Sequence, residues 1–93
     1  MEYNKAFGAV FRRLRRHRGL TQEAFQPAAS DRYIRNLEKG EYSPTLAILR
    51  ELCELLEVSP ITLLSLVEAA HLGLDPIILI NGAAEELEEL ERD

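Results

Sequence analysis

Apolar residues recur three and four positions apart through most of the first 72 residues, and the breaks between these stretches carry helix-capping residues. Phe7, Val10, Phe11 and Leu14 form the first such stripe. It predicts a helix from about Tyr3 or Asn4 to His17 or Arg18, ended by Gly19. Arg12, Arg13, Arg16 and Arg18 fall mostly off the stripe and are expected in solvent. Arg15 flanks Leu14 and Phe11 and can turn toward the core.

The segment from Gly19 to Gly40, GLTQEAFQPAASDRYIRNLEKG, reads as two short helices with almost no room between them. Thr21 can cap the first, which is expected from Gln22 to about Ala28 with Phe25 buried. Pro27 removes a backbone donor and crowds the carbonyl four residues back, so that helix should end or bend near Gln26. Ser30 can cap the second helix, which runs through Asp31 to Lys39 and stops at Gly40. Ile34 and Leu37 face a core, which leaves Asp31, Arg32, Arg35 and Asn36 on the other side. Arg can donate twice to guanine, and Asn can pair both ways with adenine, so this face suits the DNA major groove. Taken alone, a charged helix face is more often simply solvated.

Beyond Gly40, Ser43 and Pro44 give a cap-plus-proline start for a fourth helix to about Leu56, with Leu46, Leu49, Leu52 or Cys53, and Leu56 as its stripe. Ser59 and Pro60 repeat the signal for a fifth, to Leu72, burying Leu63, Leu64, Val67 and Ala70 before Gly73. The expected fold is all-α: a compact five-helix bundle over residues 1–72 and a C-terminal acidic extension over 73–93. Within the extension, Asp75-Pro76 again resembles a helix start. Equally, Ile77-Ile78-Leu79-Ile80 before Asn81-Gly82 fits a short strand ending in a turn. Ala83 to Arg92 reads as helix, with Leu87 and Leu90 on one side. Four large aliphatic residues beyond a completed bundle point to an interface. Ile77, Ile78, Leu79 and Ile80 are therefore expected in a homodimer contact, the alternative being that they fold back over the first and fifth helices.

Composition narrows the function. The 93 residues are 46% hydrophobic and 29% charged, as in a single globular domain. The single cysteine, Cys53, excludes an internal disulfide, and with His17 and His71 far apart no metal-ligand spacing is present. No Ser-His-acid set or glycine-rich phosphate loop occurs, so neither catalysis nor a cofactor is expected. No apolar run is long enough for a membrane span and no secretion signal is evident, so a cytoplasmic protein is expected. Net charge is −5, but it is unevenly divided. Residues 1–50 hold ten Lys/Arg against five acids, a net of +5, and residues 51–93 hold one Arg against eleven acids, a net of −10. A basic half with an acidic far side is a candidate for binding phosphates.

Several blocks, in this order and spacing, resemble the DNA-binding domains of the lambda repressor/Cro (XRE) family. They are Leu14-Arg15, Gly19-Leu20-Thr21-Gln22-Glu23, Tyr33-Ile34, Leu37-Glu38-Lys39-Gly40, Ser43-Pro44-Thr45-Leu46, Leu52 and Val58-Ser59. The resemblance covers about Phe7 to Leu66 and implies a helix-turn-helix regulator of transcription. It implies base contacts by Asp31, Arg32, Arg35 and Asn36, phosphate contacts by Gln22, Tyr33, Lys39 and Ser43, and a structural ion pair between Arg15 and Glu38. Two departures stand out. The stretch from Gln22 to Ile34 is about two residues short and carries Pro27, and Asp31 is an unusual residue at a DNA-facing helix start. The implied function is a homodimer on a two-fold site in double-stranded DNA. An interaction module or antitoxin-like protein, with a protein partner on the acidic tail, is the alternative.

Overall fold

The structure, a computed structural model, describes residues 1–92. Asp93, the last residue of the acidic extension, lies outside the described residues. The elements are α1 (Tyr3–His17), a 3₁₀ turn (Gln22–Phe25), α2 (Asp31–Glu38), α3 (Leu46–Leu56), α4 (Pro60–Leu72) and α5 (Pro76–Leu90). There is no strand among the described residues, as an all-α pattern requires.

Every helix starts on a side-chain cap that satisfies backbone donors left free in its first turn. Glu2 accepts from the amides of Asn4 and Lys5, Ser30 from Tyr33, Thr45 from Ile48, Ser59 from Ile61 and Asp75 from Ile77. The fourth helix of the sequence thus begins at Thr45 rather than at Ser43-Pro44, and Leu46, expected in the core, is 80% exposed in its first turn. The stripe that α3 buries is Leu49, Leu52, Cys53 and Leu56. Of the residues expected inside α4, Leu63 and Val67 are fully buried while Leu64 and Ala70 only line the core. The ends are equally specific. Arg18 is exposed, as expected, and also donates to the carbonyls of Leu56 (2.8 Å) and Glu57 (3.0 Å), placing a cation on the last carbonyls of α3.

The second helix of the sequence is reduced to one 3₁₀ turn. Thr21 makes no side-chain cap, and Gln26 is extended at φ −68°, ψ 144°. Proline disfavours the α conformation in the residue before it and supplies no donor, so helix cannot pass Gln26. The chain then drops Ala29 into the core and turns into α2.

α1 is the central element and packs against both α2 and α4. Phe11 lies between Phe7 (ring centroids 6.4 Å) and Phe25 (5.2 Å), which joins α1 to the 3₁₀ turn. Where α1 meets α2 the backbones nearly touch. A Cβ on Gly8 would stand 2.5 Å from the Leu37 carbonyl oxygen and 2.7 Å from that of Glu38. Residues 77–80, open between strand and helix in the sequence, are helical. Asp75 and Pro76 start α5, and Asn81 and Gly82 continue it. α5 bends off α4 by 115° and packs against it, and none of its residues is fully buried. No single helix among the described residues is long and apolar enough to cross a membrane.

Two measurements test this packing. Gly8→Ala gains helix propensity but overpacks the α1–α2 contact, and a net loss on the order of 1–2 kcal/mol is expected in chemical denaturation. An unchanged midpoint would show that the two backbones can part at no cost. Cys53 is 1% exposed and burial pushes its thiol pKa up, so little thiolate forms in the folded protein. A chromogenic disulfide reagent at mildly alkaline pH should leave the native protein unlabelled and react fully once it is unfolded.

Candidate nucleic-acid interface

α2 is eight residues long, and its two faces separate cleanly. Ile34 and Leu37 are 0% exposed on the inner face. On the outer face Arg32 and Arg35 are exposed, with Asp31 and Asn36 half-buried at the edges. Arg35 donates to Asp31 at 3.4 Å, one turn earlier, and both side chains remain more than 40% open to solvent. Solvent screening makes such a pair weak, so Arg35 is free to exchange Asp31 for another partner.

Below this face lies a largely buried polar node. Arg15 Nε donates to Glu38 Oε2 at 2.6 Å, and a second guanidinium nitrogen donates to Glu38 Oε1 at 2.9 Å. The side chains are 10% and 5% exposed. The remaining Arg15 terminal nitrogen donates to the Leu20 carbonyl (2.9 Å), and the Gln22 amide donates to Glu38 Oε1 (3.2 Å). One carboxylate therefore ties α1, the 3₁₀ turn and α2 together. The bidentate geometry is the strong form of this contact. The hydrogen bonds from Glu38 raise the Arg15 pKa, outweighing the desolvation that lowers it, so Arg15 stays charged wherever the protein is folded. Among the described residues no buried side-chain nitrogen or oxygen lacks a partner.

The residues singled out in the sequence are distributed as follows. Gln22, Arg35 and Lys39 line one open groove of about 510 Å³ between α1 and α2, with Arg15 and Glu38 in its wall. Gln22 reaches that groove while its amide is already engaged with Glu38. Tyr33 is half-buried: its ring packs against Tyr42 (5.1 Å), whose hydroxyl donates to the Tyr33 carbonyl (3.0 Å). Burial pushes the Tyr33 phenol above its ordinary pKa, so it stays neutral. Ser43 lies away from the groove; its hydroxyl donates to the Asn4 side-chain oxygen at the start of α1. Ile77 and Ile78 are each 61% exposed, Ile80 is 38% exposed and Leu79 is half-buried.

Arg12 and Arg16 were read from the sequence only as solvent-facing, yet both line the same groove. Their four-residue spacing, one position on each from Phe11 and Arg15, puts them on the flank of α1 that meets α2. That spacing was the available signal.

A test of the node is a double-mutant cycle. Arg15→Leu or Glu38→Leu alone strands a buried charge and should cost roughly 3 kcal/mol. The double variant should cost clearly less than the two together, with a coupling above about 1 kcal/mol in denaturation. Additive losses would mean the two groups act separately.

A family model described as a helix-turn-helix domain matches residues 6–66. Over 75 residues the chain is 37% identical to a Sinorhizobium fredii protein named an uncharacterized HTH-type transcriptional regulator, covering 78% of this chain and 97% of the relative. No solved structure matches the chain significantly. The match spans α1 to α4, with the short amphipathic α2 at its centre, and the chain belongs to the helix-turn-helix family.

Proposed function

We propose that this protein is a sequence-specific DNA-binding regulator of transcription, acting as a homodimer and repressing by occupying a two-fold operator. Residues 1–72 form the DNA-binding unit and 73–93 the dimerisation extension. The observation that carries the reading is the pairing of a polar, Arg-bearing α2 face with a basic flank on α1, in a chain whose acids are concentrated in its second half. α2 enters the major groove. Arg32, Arg35 and Asn36 read base edges, and Asp31 accepts from a cytosine amino group or only releases Arg35. Gln22 and Lys39 meet phosphates, and Tyr33 and Ser43 flank them. The relative's name, a transcriptional regulator, agrees with this role.

The dimer reading rests on α5. Ile77, Ile78, Leu87 (60%) and Leu90 (73%) are exposed. Beside them an apolar hollow of about 380 Å³ opens between Ile61 and Leu64 of α4 and Leu79 and Ile80 of α5. A second copy would cover these groups and set two α2 helices about 34 Å apart. The alternative occupant is a different protein, drawn to the acidic residues of α5.

Selection of bound duplexes from a random pool, at two salt concentrations, should enrich an inverted repeat with half-sites one helical turn apart. Arg32→Ala with Arg35→Ala should abolish that preference while the protein stays folded and dimeric. Sequence-blind binding by the wild type would refute the regulator reading. Ile77→Glu with Ile78→Glu should convert a micromolar dimer to a monomer in light scattering; a wild type that is already monomeric overturns the α5 assignment.

A further inference from the structure

We infer that the groove between α1 and α2 is a binding site for one backbone phosphate of DNA, gripped by Arg12 and Arg16 of α1. This rests on the DNA-binding reading above and adds α1 to the surface that meets the duplex.

Five cationic side chains line the groove, and with Arg15 paired to Glu38 four remain, Arg12, Arg16, Arg35 and Lys39. Its only acid is Glu38, and that carboxylate is spent, since both oxygens accept from Arg15 and one also from Gln22. Among the described residues Arg12 and Arg16 have no carboxylate within ion-pair distance. A second hollow, of about 410 Å³, is lined by the same two arginines with Ala9, Arg13 and Glu38, and both arginines are exposed. Like charges around a concave, partly shielded floor repel one another until an anion enters.

The form of the groove says which anion. Its lining contains no aromatic ring, so nothing in it can stack on a base, and a nucleotide would gain little over a phosphate group. Guanidinium groups match phosphate oxygens with paired donors. The groove shares Arg35, Lys39 and Gln22 with the proposed reading surface, so a duplex seated on α2 lays its backbone across it. A phosphate held from both α1 and α2 fixes how deep and at what angle α2 enters the major groove, because the buried node already locks those helices together.

The experiment compares wild type with R12Q/R16Q on the selected operator duplex and on a scrambled duplex of equal length, across a salt series. Gln keeps the helix propensity of both exposed positions, and the variant should melt no lower than wild type. The slope of log affinity against log salt should shallow by about 0.9 for each phosphate lost, so by nearly two for a dimer. Affinity should fall by the same factor for both duplexes, leaving their ratio intact. An unchanged slope with operator binding retained overturns the groove assignment alone. A fall in the operator-to-scrambled ratio also overturns it, since the arginines would then be reading bases. A wild type that binds neither duplex removes the DNA-binding reading, and the phosphate site with it.

Discussion

The rest of the structure depends on one carboxylate. Glu38 lies on the inner flank of α2, yet its oxygens accept from Arg15 on α1 and from Gln22 in the 3₁₀ turn, while Arg15 also holds the Leu20 carbonyl. Three segments that also meet in the apolar core are thereby fixed to one point. This matters because the element that would ordinarily separate α1 from α2 has been cut to a single turn. A one-turn 3₁₀ segment cannot hold an orientation by itself. The node does so for it, and Gly8 permits this by letting the α2 backbone approach α1 closely enough for a bidentate contact. A buried pair contributes little net stability against apolar residues of the same size. Its value here is directional, because it sets the azimuth of α2, and that azimuth decides which residues face outward.

Charge is organised around the same point. The chain is acidic overall, but its acids are concentrated in the second half and its arginines on α1 and α2. At physiological ionic strength fields decay over about 8 Å. A phosphate at the α2 face therefore responds mainly to the basic flank of α1 beside it. The acidic end still acts at longer range by disfavouring approach in the wrong orientation. A negative net charge and an affinity for DNA are compatible when the two signs are carried by different helices.

Much of this was legible in the sequence, and the failures have physical causes. Ser30 and Ser59 were readable as caps because a short polar side chain followed by an apolar period has few other uses. The Arg15–Glu38 pair came from the family resemblance. Arg15 alone could be suspected from its flanking of Leu14 and Phe11. Ser43-Pro44 misled because Thr45, immediately after it, is an equally good cap, and Ser43 is drawn to Asn4 instead. Leu46 has the right spacing for the stripe but stands in the first turn, beyond the edge of the core. The helix expected to reach Ala28 ends early for the reason Pro27 already gave. Residues 77–80 were ambiguous because a short aliphatic run carries no period, and only the Asp75 cap settles it. For Arg12 and Arg16 the spacing puts both on one flank of α1, but which helix packs beside that flank is decided by the tertiary fold.

The shortness of α2 bears on why such a protein would work in pairs. Eight residues span about 12 Å, close to the width of the major groove, and present only Asp31, Arg32, Arg35 and Asn36 outward. Four side chains can address two or three base pairs, each worth about 1–3 kcal/mol of discrimination. One such helix cannot select a site from a genome, whereas two held in fixed register multiply their discrimination. Under the proposed dimer, the exposed aliphatic face of α5 would hold them, in a helix remote in sequence from α2. Contacts from α1 to the backbone would serve the same end. They add affinity without information, and so let a small reading surface spend its few side chains on bases.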